Sequence, residues 1–459
     1  MKLFLKCGIL LLASALHLTG CGGGETSSGG ASSAAGESSA AMAPTGEGKI
    51  EGALEVMAFK GGYGIDQYEK AAKEFAEQHP GLEVSVSGDP RVWEKIRPRM
   101  VAGNPPDLMF PGWGMDHWAL AEEGQIFQLD AALDSAPYSG DGKWRDAFDP
   151  KVLKLGQKDG KTYMLPYYVM VYGWWYDPGV FERNGWTPPT TYAELLDLGE
   201  RIKAAGIAPI TFQGQYPYYM IEGMLLPWCQ SIGGFEALQA AQNLEPGAWK
   251  SEAMLASARM IDELNKKGFF QNGAVGLSHT EAQTQFLNGK AAMIPCGTWL
   301  ESEMKEVMPK GAALRFMPIP YVEGGKGDPT FTIIGIEPWM VPTEAKNPNA
   351  AIALFKYMTS PEKAKEFVEV KGTLMAVKGA EDAKMPRTLE EPARAFANAK
   401  SIWANQYRHW YPAFHKEVEG ALSSLLNRQL TPEQFVDRCE AAAEKTRQDD
   451  NIRKYKSEL

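Results

Sequence analysis

The sequence predicts an α/β fold in which the chain builds one lobe, crosses to a second, returns and leaves again. Three observations support this prediction. Strand-like and helix-like segments alternate, as they do in parallel sheets covered by helices. This alternation occurs in two separate stretches, and each stretch is interrupted before its sheet is complete. Finally, 459 residues suffice for two or three domains at roughly 150 residues each.

The first stretch follows a strand–helix–strand–helix–strand order. Its helices show apolar residues at helical spacing, and its strands are short and apolar or alternating. The predicted strands are residues 54–59, 82–86 and 107–110, and the predicted helices are residues 67–78 and 93–102. Ligands of such sheets bind at the carboxyl ends of the strands. The loops 60–64 and 111–116 follow two of these ends.

The second stretch is rich in aromatic residues. Its predicted strands are residues 163–166, 169–176, 207–212, 291–295, 314–318 and 331–341, the last one broken at residues 337–339. A helix is predicted over residues 192–204 with Thr190 or Thr191 as its cap. Helices dominate residues 220–287, and almost everything from Asn349 onward is predicted to be helical.

The first 48 residues predict export and anchoring. Two lysines and a short apolar run make residues 1–21 a signal peptide that is too short to span a membrane. Leu18-Thr19-Gly20-Cys21 resembles a bacterial lipobox, whose cysteine receives the lipid. An ordinary secretory signal with a chance cysteine is the alternative. Residues 22–48 are rich in Gly, Ser and Ala, which predicts a flexible linker.

Composition narrows the classes of partner. The net charge of −10 argues against a nucleic-acid partner, which requires a basic surface. Thirteen tryptophans are more than packing usually needs, and they suit a binding surface.

Cys7 leaves with the signal peptide, so that Cys229, Cys296 and Cys439 remain beside Cys21. Three buried thiols are the simpler expectation, and one disulfide with one free thiol is the alternative.

Several fragments in a fixed order resemble the extracellular solute-binding proteins of carbohydrate ABC importers. They are residues 54–63 with His79-Pro80-Gly81, residues 104–108, residues 166–195, residues 286–299 and residues 336–355. Within that family, residues 59–64, 90–93 and 110–118 look most like the subgroup that binds N-acetylglucosamine and chitobiose.

The resemblance implies a two-lobed periplasmic-binding-protein fold of type II, with the ligand between hinge-linked lobes. It implies one lobe from residues 49–167 plus 290–340 and another from residues 168–289 plus 341–459. The implied partners are a saccharide and the permease subunits of the membrane, and the implied mechanism is hinge closure. We expect a monomer without cofactor or metal, held outside the cytoplasm on a bacterial membrane by its lipid alone.

A sugar-binding site needs flat aromatic rings for the faces of the sugar and polar groups for its rim. Strand ends and neighbouring loops supply both kinds of candidate. The aromatic candidates are Tyr63, Trp113, Tyr168, Tyr216, Trp228, Trp299 and Trp339, with Tyr218 and Tyr219 as alternatives to Tyr216. The polar candidates are Lys60, Arg91, Asp116, Gln215 and Glu337. For Trp228, core packing and ligand contact are equally compatible with the sequence.

Two other functions remain alternatives. A secreted glycoside hydrolase would need two carboxylates beside the cleft, for which Asp116 and Glu337 are the available pair. The sequence contains no H-E-x-x-H, G-x-S-x-G, P-loop or C-x-x-C motif, which favours a protein that binds without catalysing a reaction. A surface lipoprotein for sugar sensing or adhesion would have the same fold and no permease.

Overall fold

The computed structural model describes residues 43–457. The predicted signal peptide, Cys21 and most of the predicted linker lie outside these residues. The folded body begins before the predicted linker ends. The amides of Thr45 and Gly46 both donate to Asn349 Oδ1 at 3.2 Å, and Pro44 is buried.

The described part of the chain is a mixed α/β structure. Its strands are β1 Gly52–Phe59, β2 Leu82–Asp89, β3 Leu108–Phe110, β4 Gln157–Lys158, β5 Lys161–Thr162, β6 Leu165–Tyr176, β7 Ala208–Ile210, β8 Ala291–Gly297, β9 Arg315–Met317, β10 Thr332–Trp339, β11 Leu374–Met375 and β12 Ile402–Trp403. The predicted strands of the first stretch are therefore all present. The break predicted at residues 337–339 is instead a β-bulge between Ile336 and Pro338 within β10.

The helices follow the predicted distribution. They are α1 Asp66–Gln78, α2 Trp93–Val101, α3 His117–Glu122, α4 Asp130–Asp134, α5 Pro150–Leu153, α6 Pro178–Asn184, α7 Tyr192–Ala204, α8 Tyr218–Met220, α9 Leu226–Gly233, α10 Phe235–Gln242, α11 Glu252–Lys266, α12 His279–Leu287, α13 Leu300–Met304, α14 Pro348–Met358, α15 Pro361–Lys371, α16 Glu390–Asn398, α17 Tyr407–Trp410, α18 Pro412–Leu426 and α19 Pro432–Gln448. Five 3-10 turns supplement them at Trp144–Ala147, Lys154–Gly156, Ala248–Lys250, Ala274–Gly276 and Lys305–Val307. A π-helical segment, Ile221–Leu225, joins α8 to α9.

Local sequence explains the best-defined helices. Helix α1 buries Tyr68, Ala71, Ala72 and Phe75, which lie on one face at helical spacing. Helix α7 begins with a capping box, in which the Thr191 hydroxyl accepts the Glu194 amide and the Glu194 carboxylate accepts the Thr191 amide. The predicted cap at Thr190 or Thr191 is thus Thr191.

The strands form two principal sheets. β2, β1 and β3 make a parallel three-stranded sheet, on which α1 and α14 pack. We call this sheet with its helices the first lobe. A larger sheet runs in the order β12-β10-β6-β8-β7, and β9 and β11 also pair with β6. We call this larger sheet with its helices the second lobe.

Strands β6 and β10 run antiparallel to each other and connect the lobes. Directly after β10, Met340 pairs with Met109 of β3 through two backbone hydrogen bonds of 2.8 and 2.9 Å. The long strand β6 continues in the other direction to pair with β8 and β9. A bend in these two strands would therefore change the separation of the lobes.

Two segments pair differently from the predicted division of the lobes. Residues 290–340 were assigned to the first lobe, but β8 pairs with β6 and β7 inside the second lobe. Residues from 341 onward were assigned to the second lobe, but α14 and α15 pack on the first. Tyr357 of α14 lies 5.5 Å from Phe75 between ring centroids, and Lys363 of α15 contacts Glu74 at 2.5 Å.

The chain returns to the first lobe near its end. Tyr455 donates its hydroxyl to Asp116 Oδ2 at 3.2 Å, and Arg453 forms an ion pair with Glu122. The backbone of the same segment is fixed to the second lobe, because the amide of Tyr455 donates to the Tyr411 hydroxyl at 2.7 Å. Residues 449–457, here named the C-terminal strap, therefore bridge the two lobes.

The described cysteines are reduced, and residues 43–457 contain neither a membrane-spanning helix nor a metal-ligand cluster. Cys229, Cys296 and Cys439 are free and buried, as the simpler expectation had it. Among residues 43–457, no helix has the length and apolar character needed to cross a bilayer. In the same range, no three His, Cys, Asp or Glu side chains are grouped so that they could hold a metal ion.

Candidate ligand-binding site

A pocket opens between the two lobes beside the paired strands β6 and β10. It contains about 680 Å³ of space unfilled by atoms, a figure that includes solvent at its open mouth. Residues from both lobes and from both connecting strands line it. They are Trp113, His117, Trp118, Leu155, Met164, Tyr172, Glu222, Ile334, Gly335, Ile336, Pro338, Ala404, Asn405, Gln406, Arg408, His409 and Trp410.

The wall of the first lobe is the loop after β3 together with the start of α3. Gly112 turns the chain there with a φ of +68°, a conformation that glycine adopts without strain. The turn brings Trp113 to the pocket, where its ring packs edge-on against Phe59 at 5.0 Å between centroids. Asp116 then caps α3, because its carboxylate accepts the amides of Trp118 and Ala119 at 3.1 and 3.0 Å.

The wall of the second lobe comes from three separate parts of the sequence. Tyr172 projects from β6, Glu222 lies in the π-helical segment, and residues 404–410 lead into and form α17. The π-helical geometry leaves the Gly223 carbonyl to accept the Trp174 indole N–H at 2.9 Å. Folding is needed to bring these parts together, since nearly 200 residues separate Glu222 from Asn405.

Arg408 is the positive charge of the pocket. Its guanidinium carbon lies 4.2 Å from the Tyr218 ring centroid and 5.5 Å from the Trp113 ring centroid, so that it interacts with aromatic faces from both lobes. Among residues 43–457, no carboxylate lies within the 4.0 Å that defines an ion pair with it. Its side chain is half-buried and borders the pocket directly.

Glu222 is the negative counterpart of Arg408. Its Oε1 accepts the Asn405 side-chain amide at 2.8 Å, while its buried Oε2 has no hydrogen-bond partner. Burial raises the pKa of Glu222 to about 7, against the lowering effects of the Asn405 hydrogen bond and the Arg408 charge. A ligand that offers a hydrogen-bond donor would satisfy this oxygen.

Two further buried polar atoms of the pocket residues have no partner among residues 43–457. They are His409 Nδ1 and the indole nitrogen of Trp410. The His409 ring also stacks on His117 of the first lobe at 5.3 Å between centroids. Burial, together with the neighbouring His117, holds the pKa of His409 well below its usual value. The pocket therefore combines apolar walls with several polar groups that lack a protein partner.

The predicted aromatic residues occupy different depths around this pocket. Trp113 lines it. Trp299, Tyr63 and Tyr168 are buried and do not line the pocket. Trp299 packs on the pocket residue Tyr172 at 5.3 Å between centroids, and Tyr63 packs on Tyr168 at 4.9 Å. The Tyr63 hydroxyl is bonded to Thr298 Oγ1 at 3.0 Å. For these three side chains, ligand contact stays a prediction.

Trp228 and Trp339 are completely buried away from the pocket. The indole N–H of Trp228 donates to the Pro320 carbonyl at 2.8 Å, and that of Trp339 donates to Glu337 Oε1 at 2.7 Å. Glu337 is itself fully buried and also accepts the Tyr68 hydroxyl at 2.6 Å. Their bonded polar atoms and lack of exposure make these side chains part of the core. Asp116 likewise serves the α3 cap and the C-terminal strap.

The other predicted residues are exposed and do not line the pocket. Lys60 and Arg91 are on the surface of the first lobe, and Arg91 lies 3.6 Å from Glu94. Gln215 donates to the Gly276 carbonyl at 2.8 Å, and the Tyr216 ring packs on His279 at 5.1 Å between centroids. Of the three tyrosines in that loop, Tyr218 lies nearest to the pocket, because Arg408 stacks on it.

The sequence predictions did not include the polar residues of the second-lobe wall. Glu222, Asn405, Arg408, His409 and Trp410 lie in segments that were predicted to be simply helical. One signal was available: residues 407–411 read Tyr-Arg-His-Trp-Tyr directly before Pro412, a density of aromatic and basic residues that is unusual for a surface helix.

Comparison with known proteins identifies the family. Residues 61–365 match the model of the bacterial extracellular solute-binding proteins. The diacetylchitobiose-binding protein NgcE of Streptomyces coelicolor is 31% identical over 329 residues, which are 71% of this chain and 70% of that protein. A multiple sugar-binding protein of Streptococcus mutans is 24% identical over 74% of this chain and 79% of its own length.

Solved structures show the same fold. A chitin oligosaccharide binding protein superposes with a TM-score of 0.74 at 22% identity, covering 86% of this chain and 98% of its own. The solute-binding protein RafE in complex with raffinose superposes with a TM-score of 0.71 at 21% identity, covering 86% and 99%. The predicted two-lobed fold is confirmed. This chain belongs to the family of bacterial extracellular solute-binding proteins.

Proposed function

We propose that this chain is the saccharide-binding subunit of a carbohydrate ABC importer, and that its ligand is N-acetylglucosamine or chitobiose. The observation that carries the proposal is the pocket between the lobes. Half-buried aromatic rings line it, and buried polar atoms without partners point to a ligand that supplies the missing hydrogen bonds. A sugar has apolar ring faces and a polar rim, so it matches both features.

The pocket favours an uncharged ligand. Glu222 and Arg408 both border it, and they carry opposite charges when Glu222, whose pKa burial raises to about 7, is ionised. An anionic ligand would be repelled by the ionised Glu222 carboxylate, and a cationic ligand by the Arg408 guanidinium. Neutral sugars avoid both repulsions and still offer donors and acceptors to each residue.

Closure of the two lobes would bury the ligand. Side chains from opposite lobes already meet around the pocket: Arg408 faces Trp113, and His409 stacks on His117. A ligand in contact with both lobes binds the closed form more tightly than the open form, and it shifts the population toward closure. Micromolar affinity corresponds to about −8 kcal/mol, which two stacked rings and a few hydrogen bonds can supply.

Two lines of support favour chitobiose as the ligand. The relative with 31% identity is named a diacetylchitobiose-binding protein. The loops at residues 59–64 and 110–118, which resemble that subgroup, contain Phe59 and Trp113; Trp113 lines the pocket, and Phe59 packs against its ring at 5.0 Å between centroids. The chain would deliver the bound sugar to a membrane permease, and a lipid on Cys21 would anchor it to the membrane.

The competing functions make different use of the carboxylates. A glycoside hydrolase with Asp116 and Glu337 as its catalytic pair would need both groups to face the ligand, whereas Asp116 caps α3 and Glu337 is buried with Trp339. Among the described residues that line the pocket, Glu222 is the one carboxylate. This arrangement supports binding without hydrolysis. A sensing or adhesion lipoprotein would share the pocket and differ in needing no permease.

Calorimetry on the purified full chain tests the ligand. We expect heat of binding with N-acetylglucosamine or chitobiose and a flat trace with maltose and xylobiose. The reverse pattern would overturn the proposed ligand. Analysis of the chitobiose solution after incubation tests the absence of catalysis, because release of the monosaccharide would identify an enzyme.

Uptake experiments test the importer role. A strain that lacks this gene should lose growth on chitobiose and recover it when the gene is returned. Undiminished growth of the deletion strain would favour the sensing or adhesion function.

A further inference from the structure

The lining of the pocket combines an acceptor, a donor and apolar side chains. Glu222 Oε2 is the acceptor, the Arg408 guanidinium supplies the donors, and Ile334 with Ala404 supplies the wall. We name these four residues together with Asn405 the Glu222 corner. Their chemistry restricts which part of a sugar fits there.

The acceptor is fixed in place. Asn405 holds Glu222 Oε1 at 2.8 Å, and Asn405 in turn accepts the backbone amide of Arg408 through its Oδ1 at 3.2 Å. This chain of bonds ties the carboxylate to the start of the segment that carries Arg408. Glu222 lines the pocket and is only 2% exposed, so solvent does not fully replace a donor that is missing at its unpartnered oxygen.

The donors are fixed as well. The guanidinium carbon lies 4.2 Å from the Tyr218 ring centroid, and this cation–π contact restrains the position of a group that offers five N–H donors. No carboxylate among residues 43–457 competes for them within ion-pair distance. They are therefore available to an acceptor oxygen of the ligand.

An acetamido group carries an N–H donor, a carbonyl acceptor and a methyl group. A pair of hydroxyls could bond to Glu222 and Arg408, but it would leave the side chains of Ile334 and Ala404 without an apolar partner. An amine would place a positive charge beside Arg408. The acetamido group satisfies all three elements of the corner at once.

We propose that the Glu222 corner recognises the acetamido group of an N-acetylhexosamine, with Glu222 accepting its N–H and Arg408 donating to its carbonyl oxygen. This inference rests on the proposed function, and it assigns the selectivity for N-acetylated sugars to these two residues. The rings of Trp113 and Tyr172 then pack on the apolar faces of the sugar, and this contact does not distinguish acetylated from unacetylated sugars.

The test compares chitobiose with cellobiose, which has hydroxyls in place of the acetamido groups. Titrations of the full chain are done at pH 8, where ionisation of Glu222 is favoured. The variants are Glu222→Gln, which turns the free acceptor into a donor, and Arg408→Lys, which keeps the charge but removes the planar fork. Glu263→Gln is the matched control, because it makes the same chemical change outside the pocket. Glu263 lies on α11 and accepts the Tyr192 hydroxyl at 3.0 Å.

We expect the wild type and Glu263→Gln to prefer chitobiose over cellobiose equally. Glu222→Gln should raise the Kd for chitobiose about tenfold or more, because a buried N–H loses its acceptor, and change the Kd for cellobiose less than about threefold. Arg408→Lys should reduce the same preference. Thermal unfolding of each variant confirms that the fold is kept.

The outcomes separate this inference from the proposed function. If the wild type binds maltose or xylobiose and neither chitobiose nor N-acetylglucosamine, the proposed function loses its ligand and the inference falls with it. If the wild type prefers chitobiose and both variants keep that preference, the inference alone is overturned. Equal loss of both disaccharides in folded variants also overturns it, because the two residues would then bind the sugar without reading the acetamido group.

Discussion

Glu222 and Glu337 are both buried glutamates with one bonded oxygen and one oxygen that has no partner among residues 43–457. Their surroundings differ. Glu222 borders the pocket beside half-buried Arg408, whereas Glu337 is enclosed by the rings of Tyr68 and Trp339. Burial and a raised pKa are therefore common to both glutamates, and only the position of Glu222 at the pocket distinguishes it as a candidate for ligand contact.

The tryptophans show the same contrast. Trp339 is fully buried, with its N–H bonded to Glu337, and it packs on Tyr68 and Phe110. Trp113 presents a half-buried ring to the pocket. The following changes should therefore affect stability in one region and ligand binding in the other.

The largest effect is expected for Trp339→Ala. Removing a fully buried indole leaves a cavity and takes one of two hydrogen-bond donors from Glu337 Oε1, so that the free energy of unfolding should fall by about 3–5 kcal/mol. Urea denaturation followed by circular dichroism measures this change. A loss below about 1 kcal/mol would show that Trp339 is not part of the core.

The pH dependence of stability should report Glu337. Burial raises its pKa to about 8, against the lowering effects of its hydrogen bonds, while the unfolded chain has the ordinary value of 4.5. Between these values the folded state binds more protons than the unfolded state, so the free energy of unfolding falls as pH rises and levels off above pH 8. Below pH 4.5 both states are protonated, and the group contributes no slope.

Glu337→Gln removes this titration while keeping an oxygen for Tyr68 and Trp339. From pH 5 to pH 7, the wild type should lose on the order of 2 kcal/mol of unfolding free energy relative to the variant. Urea unfolding at both pH values measures the difference. Parallel pH profiles of the two proteins would contradict the raised pKa. Glu222 titrates in both proteins, so its contribution to the pH dependence of the unfolding free energy is the same in both and cancels in the difference.

A smaller effect, on binding alone, is expected for Trp113→Ala. The loss of one stacking face should weaken chitobiose binding about tenfold, which corresponds to about 1.4 kcal/mol. The free energy of unfolding should fall by only about 1 kcal/mol, because the ring is half-buried. Calorimetric titration and urea denaturation of the same sample test both statements. Unchanged affinity would remove Trp113 from the site.

The smallest effect is expected for Arg259→Gln. This arginine pairs with Glu433 at 2.8 Å on the surface of the second lobe, with more than half of each side chain exposed. Exposed ion pairs contribute little, so stability should stay within about 0.5 kcal/mol and affinity should not change. The variant serves as the baseline for the other comparisons.

The sequence predicted the fold better than the site. Helix 192–204 was predicted with its observed bounds, because the capping box and the apolar spacing are local signals. The position of Trp113 at a strand end was also predictable from a local turn, and the structure places its ring at the pocket, while its contact with a ligand stays a prediction. Trp339 was placed at the ligand because Glu-Pro-Trp suggested a broken strand. In the structure, a bulge between Ile336 and Pro338 keeps β10 paired with β6, and the side chains of Glu337 and Trp339 are buried.

Long-range packing explains what the sequence did not show. Glu222 and Asn405 become neighbours only when α17 packs beside the π-helical segment, and no periodicity in either segment indicates this contact. The lobe boundaries depended on the same kind of information. Strand β8 pairs with β6 across more than a hundred residues, so the partner of residues 291–297 could not be derived locally.

The C-terminal strap connects Asp116 and Glu122 of one lobe with Tyr411 and Asn243 of the other. If the lobes close on a ligand as proposed, an environment-sensitive dye attached at Ser457 should change its emission, because Ser457 is bonded to Asn243 and follows Tyr455, which contacts Asp116. The same closeness argues for placing purification tags elsewhere. A bulky group beyond the strap could pull Tyr455 away from Asp116 and bias the resting equilibrium toward an open cleft.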